Sequence, residues 1–158
     1  MQIIKLVAFA IGLLTLTFCT SRKKSPLYPE DFRFVVRRTS FEYDSQTRRY
    51  NYYDESIIVD MTDEELSDVY RYATSVDFFH FPNEFGCDGK EFTLPCFTDR
   101  LEVWGDKIYK KTENDDCCSK TEKNRPADFD RLVKKITDIL ASKEQVKRLP
   151  KYNIVLAP

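Results

Sequence analysis

The residues with the clearest chemical potential are cysteines, two of which are adjacent in the stretch NDDCCSK, residues 114–120. A zinc site would draw thiolates from CxxC-type knuckles, whereas eight, twenty and no residues separate Cys87, Cys96, Cys117 and Cys118. A nucleophilic cysteine needs a base, and His80 is the only histidine. An even set of four cysteines in an exported domain predicts two disulfide bonds instead.

The second predicted hairpin, LEVWGDKIYKK, indicates how these cysteines pair. Gly105–Asp106 has glycine first, as a two-residue type II′ turn requires, so that Val103 opposes Ile108 on the core face. This register, continued backwards, brings Cys96 close to the adjacent pair. A bond between the two neighbours is disfavoured, because their α-carbons lie only about 3.8 Å apart. We therefore expect the bonds Cys96–Cys117 and Cys87–Cys118, with the exchanged pairing as the alternative.

Acidic clusters and the single histidine are weaker candidates for metal binding or catalysis. Glu113, Asp115 and Asp116 lack the glycine that calcium loops use for their turn. Paired carboxylates such as Asp88 and Glu91 can hydrolyse glycosides, but a chain with 26 acidic residues forms such pairs by chance. His80 lies in FFHFP, a context typical of a packed or rim residue. We therefore predict no metal, no cofactor and no catalytic residue.

Aromatic side chains are the candidates for binding, because exposed aromatic rings commonly anchor ligands and partners. The alternative is that they pack under the helices, as expected for a chain that is 14% aromatic. The preferred surface combines one face of the sheet with the loop that contains the cysteines. Its candidate binding residues are Trp104, Tyr109, Phe78, Phe79 and Phe97.

Two hairpins and two helices account for the hydrophobic periodicity. FRFVVRRTSFEY and YNYYDESIIVDM read as two strands joined by DSQTRR, with a bulge near Asp54. Thr62 and Glu65 form a capping box for a helix over residues 63–76. A long loop precedes the second hairpin, and Pro126 starts a second helix. We predict an α+β fold in the order ββαββα: an antiparallel sheet of about four strands with two helices on one face.

The N-terminus predicts export. Lys5 precedes an apolar run from Leu6 to Phe18 that is typical of a signal peptide and short for a membrane span. The run ends at Cys19 in a pattern resembling a lipobox, although Phe18 is large for its position. We expect residues 1–19 to be a lipoprotein signal, with Cys19 lipidated by palmitate-type chains, and residues 20–30 to be a flexible tether. A plain cleaved signal and a short uncleaved anchor are the alternatives.

Charge and length restrict the remaining possibilities. Lys5 is the only charged residue before Cys19, so the mature chain has 24 of the 25 basic residues and all 26 acidic residues. This balance argues against a nucleic-acid partner. Residues 31–158 are long enough for one domain with its own core, which the disulfides would brace.

Three stretches, DEELSDVYRYATSVDFFHFPNEF, LPCFTDRLEVWGDKIYK and FDRLVKKITDIL, together resemble a family of small, uncharacterised bacterial lipoprotein domains. The resemblance covers roughly residues 32–141. It rests on an acid followed by two phenylalanines, Asp77 to Phe79, and on the step Thr98–Asp99 before the second hairpin. The cysteines are not a general feature of that family. The resemblance implies an exported α+β domain and brings no catalytic residues.

Together these patterns predict a protein of the bacterial cell envelope, lipid-anchored at the outer membrane. Its expected role is non-catalytic binding of a protein, a peptide or an envelope component. Two alternatives remain open: an envelope hydrolase that uses paired carboxylates, and an inhibitor or immunity-type protein. The sequence names neither the partner nor the oligomeric state.

Overall fold

The structure is a computed structural model that describes residues 27–122 and 124–151, with backbone only at residues 90 and 91. The predicted signal peptide, Cys19, most of the tether and the tail over residues 152–158 lie outside the described residues. The strands and helices are β1 Arg33–Arg37, β2 Phe41–Asp44, β3 Arg49–Tyr52, β4 Glu55–Ile58, α1 Asp63–Ser75, a 3-10 turn Phe78–His80, β5 Cys87–Phe92, β6 Thr98–Gly105, β7 Ile108–Asp115, β8 Cys118–Lys120, α2 Arg125–Ser142 and α3 Glu144–Lys147.

Six of these strands form one sheet in the order β4-β3-β2-β1-β6-β7, with every neighbouring pair antiparallel. β5 and β8 form a separate two-stranded ribbon. The central contact is between β1 and β6, which are far apart in sequence; every residue of β1 pairs with one of residues 100–104 of β6. The helix α1 lies between β4 and β6 in sequence, so the chain leaves one sheet edge and returns beside β1.

The predicted arrangement of about four strands and two helices in the order ββαββα is therefore wrong. Each of the first two predicted strands folds back on itself, at residues 38–40 and again at Tyr53–Asp54, so that four strands stand where two were expected. Part of the predicted long loop is a strand, β5. A short third helix, α3, follows α2.

The hydrophobic pattern contains a signal of these reversals. The buried positions are even in β1, where Phe34 and Val36 face the core, and odd in β2, where Phe41 and Tyr43 do. Since side chains alternate between faces along a strand, one uninterrupted strand cannot bury both sets on the same face. A change of parity within an apparently continuous run therefore indicates a turn.

The helices form where local signals predict them. The hydroxyl of Thr62 accepts a hydrogen bond from the amide of Glu65 at 3.2 Å, and the Glu65 carboxylate accepts one from the amide of Thr62 at 2.7 Å. This capping box confirms the predicted start of α1. Pro126 occupies the first turn of α2, where its missing N–H costs nothing.

One core lies between the helices and a single face of the sheet. Alternate residues of the central strands are buried with the apolar sides of α1 and α2, including Phe34, Tyr43, Leu101, Phe129 and Ile136. The opposite face carries the intervening residues, and none of the described helices lies over it. We call it the open face of the sheet.

Residues 27–30, at the end of the predicted tether, lie against the domain. The amide of Leu27 donates to the Ser67 hydroxyl at 3.3 Å, and the Tyr28 hydroxyl donates to Asp63 at 2.9 Å. These bonds fix where the chain enters the fold, beside the start of α1.

The turn between β6 and β7 differs from the predicted one by a shift in register. Val103 pairs with Lys110 rather than Ile108, and the turn residues are Asp106 and Lys107, both with positive φ (52° and 63°), as in a type I′ turn. Asp31 holds this turn, since its carboxylate accepts both turn amides at 3.1 and 2.7 Å.

Gly105 lies within β6, outside the turn. A Cβ at this position would be in ordinary van der Waals contact with the rings of Tyr70, Phe32 and Phe79, at 3.4–3.7 Å. With Gly105 inside the strand, Ile108 is the first residue of β7 and is 51% exposed instead of joining the core.

Candidate functional site

The four cysteines form the two bonds that the sequence favoured, Cys87–Cys118 and Cys96–Cys117. Their α-carbons are 5.7 and 4.8 Å apart, within the range that disulfides span. The observed register of β6 and β7 explains the inner bond, Cys96–Cys117, better than the predicted register does. Thr98 pairs with Asp115, and continuing this register places Cys96 directly opposite Cys117. The adjacent cysteines therefore join the ends of β6 and β7 to the β5–β8 ribbon.

Asp115 lies beside both disulfides. Its carboxylate and the sulfurs of either bond come within 4.8 Å of one another. Sulfurs bound to each other offer no thiolate to a metal, so in the oxidised protein this grouping acts as structure. Lys120 completes it, with its ammonium 2.7 Å from Asp115 and its side chain only 9% exposed.

A cleft of about 820 Å³ lies next to these bonds, between the β1–β2 turn, the ends of β6 and β7, and α2. We call it the braced cleft. Its lining is Arg38, Thr39, Ser40, Phe97, Asp99, Asn114, Asp115, Asp116, Cys118, Lys120, Pro126, Asp130, Val133 and Lys134.

Most acids of the braced cleft already have a structural partner. Asp99 is ion-paired with Arg38 at 2.8 Å, and Asp116 accepts the amide of Phe97 at 2.7 Å. Asp130 accepts a hydrogen bond from Asn114 at 2.8 Å. Desolvation raises the pKa of Asp130 and the charge of Asp99 raises it further, while the hydrogen bond from Asn114 opposes both. Asp130 is thus the acid of the cleft whose proton affinity the fold increases.

A row of three side chains crosses the open face of the sheet. Arg33, Trp104 and Tyr109 are directly opposite one another on β1, β6 and β7. The Arg33 guanidinium lies 4.6 Å from the Trp104 ring centroid, and the Trp104 and Tyr109 rings are 4.8 Å apart. We call this the aromatic row. It follows from register, since directly opposed side chains on one face stand close enough to stack.

Tyr109 is the most accessible ring of the row, at 50% exposed. Its hydroxyl donates to Glu102 at 3.0 Å. Partial burial and this carboxylate both raise the pKa of Tyr109, so it stays a neutral donor at physiological pH. A groove of about 440 Å³ runs beside the row, bordered by Gln46 and Lys107.

The five aromatic candidates lie in different places. Trp104 and Tyr109 are together on the open face, and Phe79 lines a second groove with Tyr109. Phe97 is half-buried in the braced cleft. Phe78 is fully buried and packs against Phe79 and Phe81, so it belongs to the core and presents no surface to a ligand.

The polar candidates have local structural partners. His80 is exposed and hydrogen-bonded to Asp77 at 2.6 Å, three residues earlier. The carboxylate of Glu113 contacts Lys111 at 2.8 Å and Arg100 at 2.6 Å. Lys111 first, and Arg100 with it, lowers the pKa of Glu113, which partial burial opposes. The acidic cluster of Glu113, Asp115 and Asp116 therefore consists of acids that are already ion-paired or hydrogen-bonded.

Comparison of the chain with protein families and with curated proteins finds no match. The resemblance to a family of bacterial lipoprotein domains remains a prediction. Within residues 27–122 and 124–151, no helix has the length and apolar character needed to span a membrane.

Sequence reasoning missed Arg33 and Asp130. The sequence pattern shows Arg33 only as a polar position of a strand, since its place over Trp104 depends on β1 pairing with β6. Asp130 lies on the polar side of a predicted helix, and only packing brings it to Asn114. No local pattern indicates either contact.

Proposed function

We propose that this protein is an extracytoplasmic lipoprotein, tethered through Cys19, whose domain binds a protein, peptide or envelope component without catalysis. The observation that carries the binding part is the aromatic row on the open face of the sheet. The cysteine bonds support the exported part, because disulfides persist in oxidising compartments.

The aromatic row suits a partner whose surface combines apolar area with polar and charged groups. Trp104 and Tyr109 offer a large contact area with few rotatable bonds, and such rings dominate many interfaces. Gln46, Glu102 and Lys107 surround them with donors and acceptors of both charges. The row is held before any ligand arrives, because Arg33 and Glu102 fix the two rings, so little conformational entropy is lost on binding.

Crosslinking in the native envelope tests this surface. We expect a full-length chain carrying a photoreactive group at Gln46 to capture a discrete partner, and Tyr109→Ala to reduce the yield by about tenfold or more, as a hot-spot ring would. Phe92→Ala is the matched control, since Phe92 is 70% exposed on the β5–β8 ribbon, away from the row. Equal yields from the Tyr109→Ala variant and the unchanged chain would refute the assignment of this surface.

The tether is tested by the intact mass of the protein from a membrane fraction, before and after reduction and alkylation. We expect an acylated chain that starts at Cys19 and four thiols that appear only on reduction. A chain without acyl groups that begins after Cys19 would indicate a secreted protein, and free thiols before reduction would contradict the export prediction.

A second candidate, an envelope hydrolase, is favoured by the raised pKa of Asp130 in the braced cleft. A carboxyl group with a raised pKa holds its proton to a higher pH, which suits a general acid, and Asp99 would be the second carboxylate. The test is release of reducing ends from purified cell-wall glycan. This candidate requires activity that Asp130→Asn abolishes and that Asp138→Asn, a change at an exposed acid elsewhere on α2, preserves.

A further inference from the structure

The two rims of the six-stranded sheet are β4 and β7, and each carries backbone groups to which no described residue is bonded. On β7, the amide of Glu113 donates outward to Asn83 at 2.8 Å, and its carbonyl accepts from Phe85 at 3.4 Å. Because backbone groups alternate in direction along an antiparallel strand, those of Tyr109 and Lys111 also point outward. No residue in the described ranges bonds to them. The segment 83–85 thus covers one half of this rim and leaves the other half open.

The other rim has the same property. The amide of Val59, just after β4, donates inward to Arg48 at 2.8 Å. By the same alternation Ile57 and Glu55 face β3, and the backbone groups of Ser56 and Ile58 face outward. They too have no partner among the described residues. Open strand rims of this kind are templates for pairing with another chain.

The two rims carry opposite charge. The exposed half of β7 and its turn bear three lysines, and β4 with its turn bears two acids: Lys107, Lys110, Lys111, Asp54 and Glu55. Among described residues, no carboxylate is ion-paired with Lys107 or Lys110, and no cation with Asp54 or Glu55. A copy of β7 cannot pair well with another β7, because their lysines would repel each other. A copy of β4 meets it with complementary charge.

We propose that β7 of one molecule pairs with β4 of a second copy, continuing the sheet from molecule to molecule. Neighbouring strands alternate in direction across the six-stranded sheet, so β4 and β7 run in opposite directions. A second copy in the same orientation therefore presents its β4 antiparallel to β7. Its helices then lie on the same side as those of the first copy.

One register satisfies backbone and side chains together. Outward-facing residues must oppose each other, and the segment 83–85 blocks pairing at Glu113. The register that meets both conditions places Ile108 of β7 opposite Ile57 of β4, which is an apolar pair, and Tyr109 opposite Ser56, which is a polar pair. It also forms two pairs of opposite charge, Lys110 with Glu55 and Lys111 with Asp54. It also covers Ile108, which is otherwise exposed at the rim.

The interface is heterologous, with different surfaces meeting, so each added molecule leaves one β4 and one β7 free. Association in solution is expected to be weak, since each contact is about four residues long. A shared membrane raises the local concentration of tethered copies. The aromatic rows of successive molecules then lie on the same side of the continuous sheet, so that several copies can bind one large partner at the same time.

A zero-length carbodiimide crosslink tests the proposal on the full chain, because it joins a carboxylate to an amine only in direct contact. Glu55 and Lys110 lie on opposite rims, five strand spacings or roughly 24 Å apart within one molecule. A Glu55–Lys110 or Asp54–Lys111 crosslink must therefore join two copies. We expect one of these in species of dimer mass and above, together with a sedimentation coefficient that rises with concentration and falls with added salt.

Charge reversal separates this pairing from other contacts. We expect Lys110→Glu to remove the crosslinked dimer, and Lys110→Glu combined with Glu55→Lys to restore it to within about twofold. Lys147→Glu on α3 is the matched control and leaves it unchanged. A protein that stays monomeric at millimolar concentration and low salt, or dimers unaffected by Lys110→Glu, would overturn the proposal, whichever partner the aromatic row binds.

Discussion

The disulfide Cys87–Cys118 offers a quantitative test of how the braced part of the molecule is held. We consider the paired change Cys87→Ala and Cys118→Ala, which leaves Cys96–Cys117 intact. The outer bond is the cleaner one to remove, because Cys87 is exposed whereas Cys117 of the inner bond is 4% exposed and would leave a cavity.

The magnitude depends on the bonds being nested. Taken alone, a bond across 31 residues contributes about 3.7 kcal/mol of chain entropy and one across 21 residues about 3.3 kcal/mol. Once the inner bond has formed, the outer bond closes only a short ring. This ring runs from Cys87 to Cys96, across the inner disulfide to Cys117, and on to Cys118. A ring of about ten residues is worth about 2.7 kcal/mol.

Urea unfolding under non-reducing conditions is the assay. We expect the free energy of unfolding to fall by about 2.7 kcal/mol for the outer-bond variant, and by about 6 kcal/mol when all four cysteines are replaced. A loss near zero for the outer bond would mean that the β5–β8 ribbon unfolds independently of the sheet. A loss above about 5 kcal/mol would mean that packing, rather than chain entropy, sets its value. Either result would refute the loop-closure reasoning.

Three further changes test other parts of the fold. The pKa of Glu113 is lowered in the folded protein, so its ionised form stabilises the fold above the unfolded pKa, and this stability is lost as the pH falls. Glu113→Gln should therefore lower the urea midpoint at pH 7 and make the midpoint fall less steeply toward pH 3. Parallel pH dependences of the two midpoints would contradict this. Lys107→Gly should raise stability by about 1 kcal/mol in a thermal melt, because φ is positive there, and a loss would favour the turn one residue earlier. Tyr43→Phe should cost about 1–3 kcal/mol in urea unfolding, since it leaves the buried Val59 carbonyl without its donor, whereas Tyr109→Phe at the surface should cost under about 0.5 kcal/mol.

Local signals in the sequence were sufficient for part of the fold. The capping box at Thr62 and Glu65 fixes the start of α1 within four residues of chain, and the structure has it. The cysteine pairing was also within reach, because neighbouring cysteines must bond elsewhere and a hairpin limits what they can reach.

Strand count and register were not predicted correctly, for two different reasons. The reversals at residues 38–40 and at Tyr53–Asp54 are marked in the sequence only by a change in the parity of the buried positions, which composition and turn residues do not reveal. The β6–β7 turn was misplaced because glycine at Gly105 matches a type II′ turn equally well. The observed turn at Asp106 and Lys107 is held by Asp31, a residue about 75 positions earlier in the chain, so no local pattern indicates it.

The sequence by itself determined the features that depend on near neighbours: the capped helix, the apolar faces and an even set of cysteines. Tertiary structure alone decided that β1 lies beside β6, which places Arg33 over Trp104, and that α2 brings Asp130 to Asn114. The physical reason is that a contact between distant residues depends on how the whole chain buries its apolar surface. The free energy of burying that surface is a sum over the whole molecule, so the sequence around two distant residues does not indicate whether they will meet.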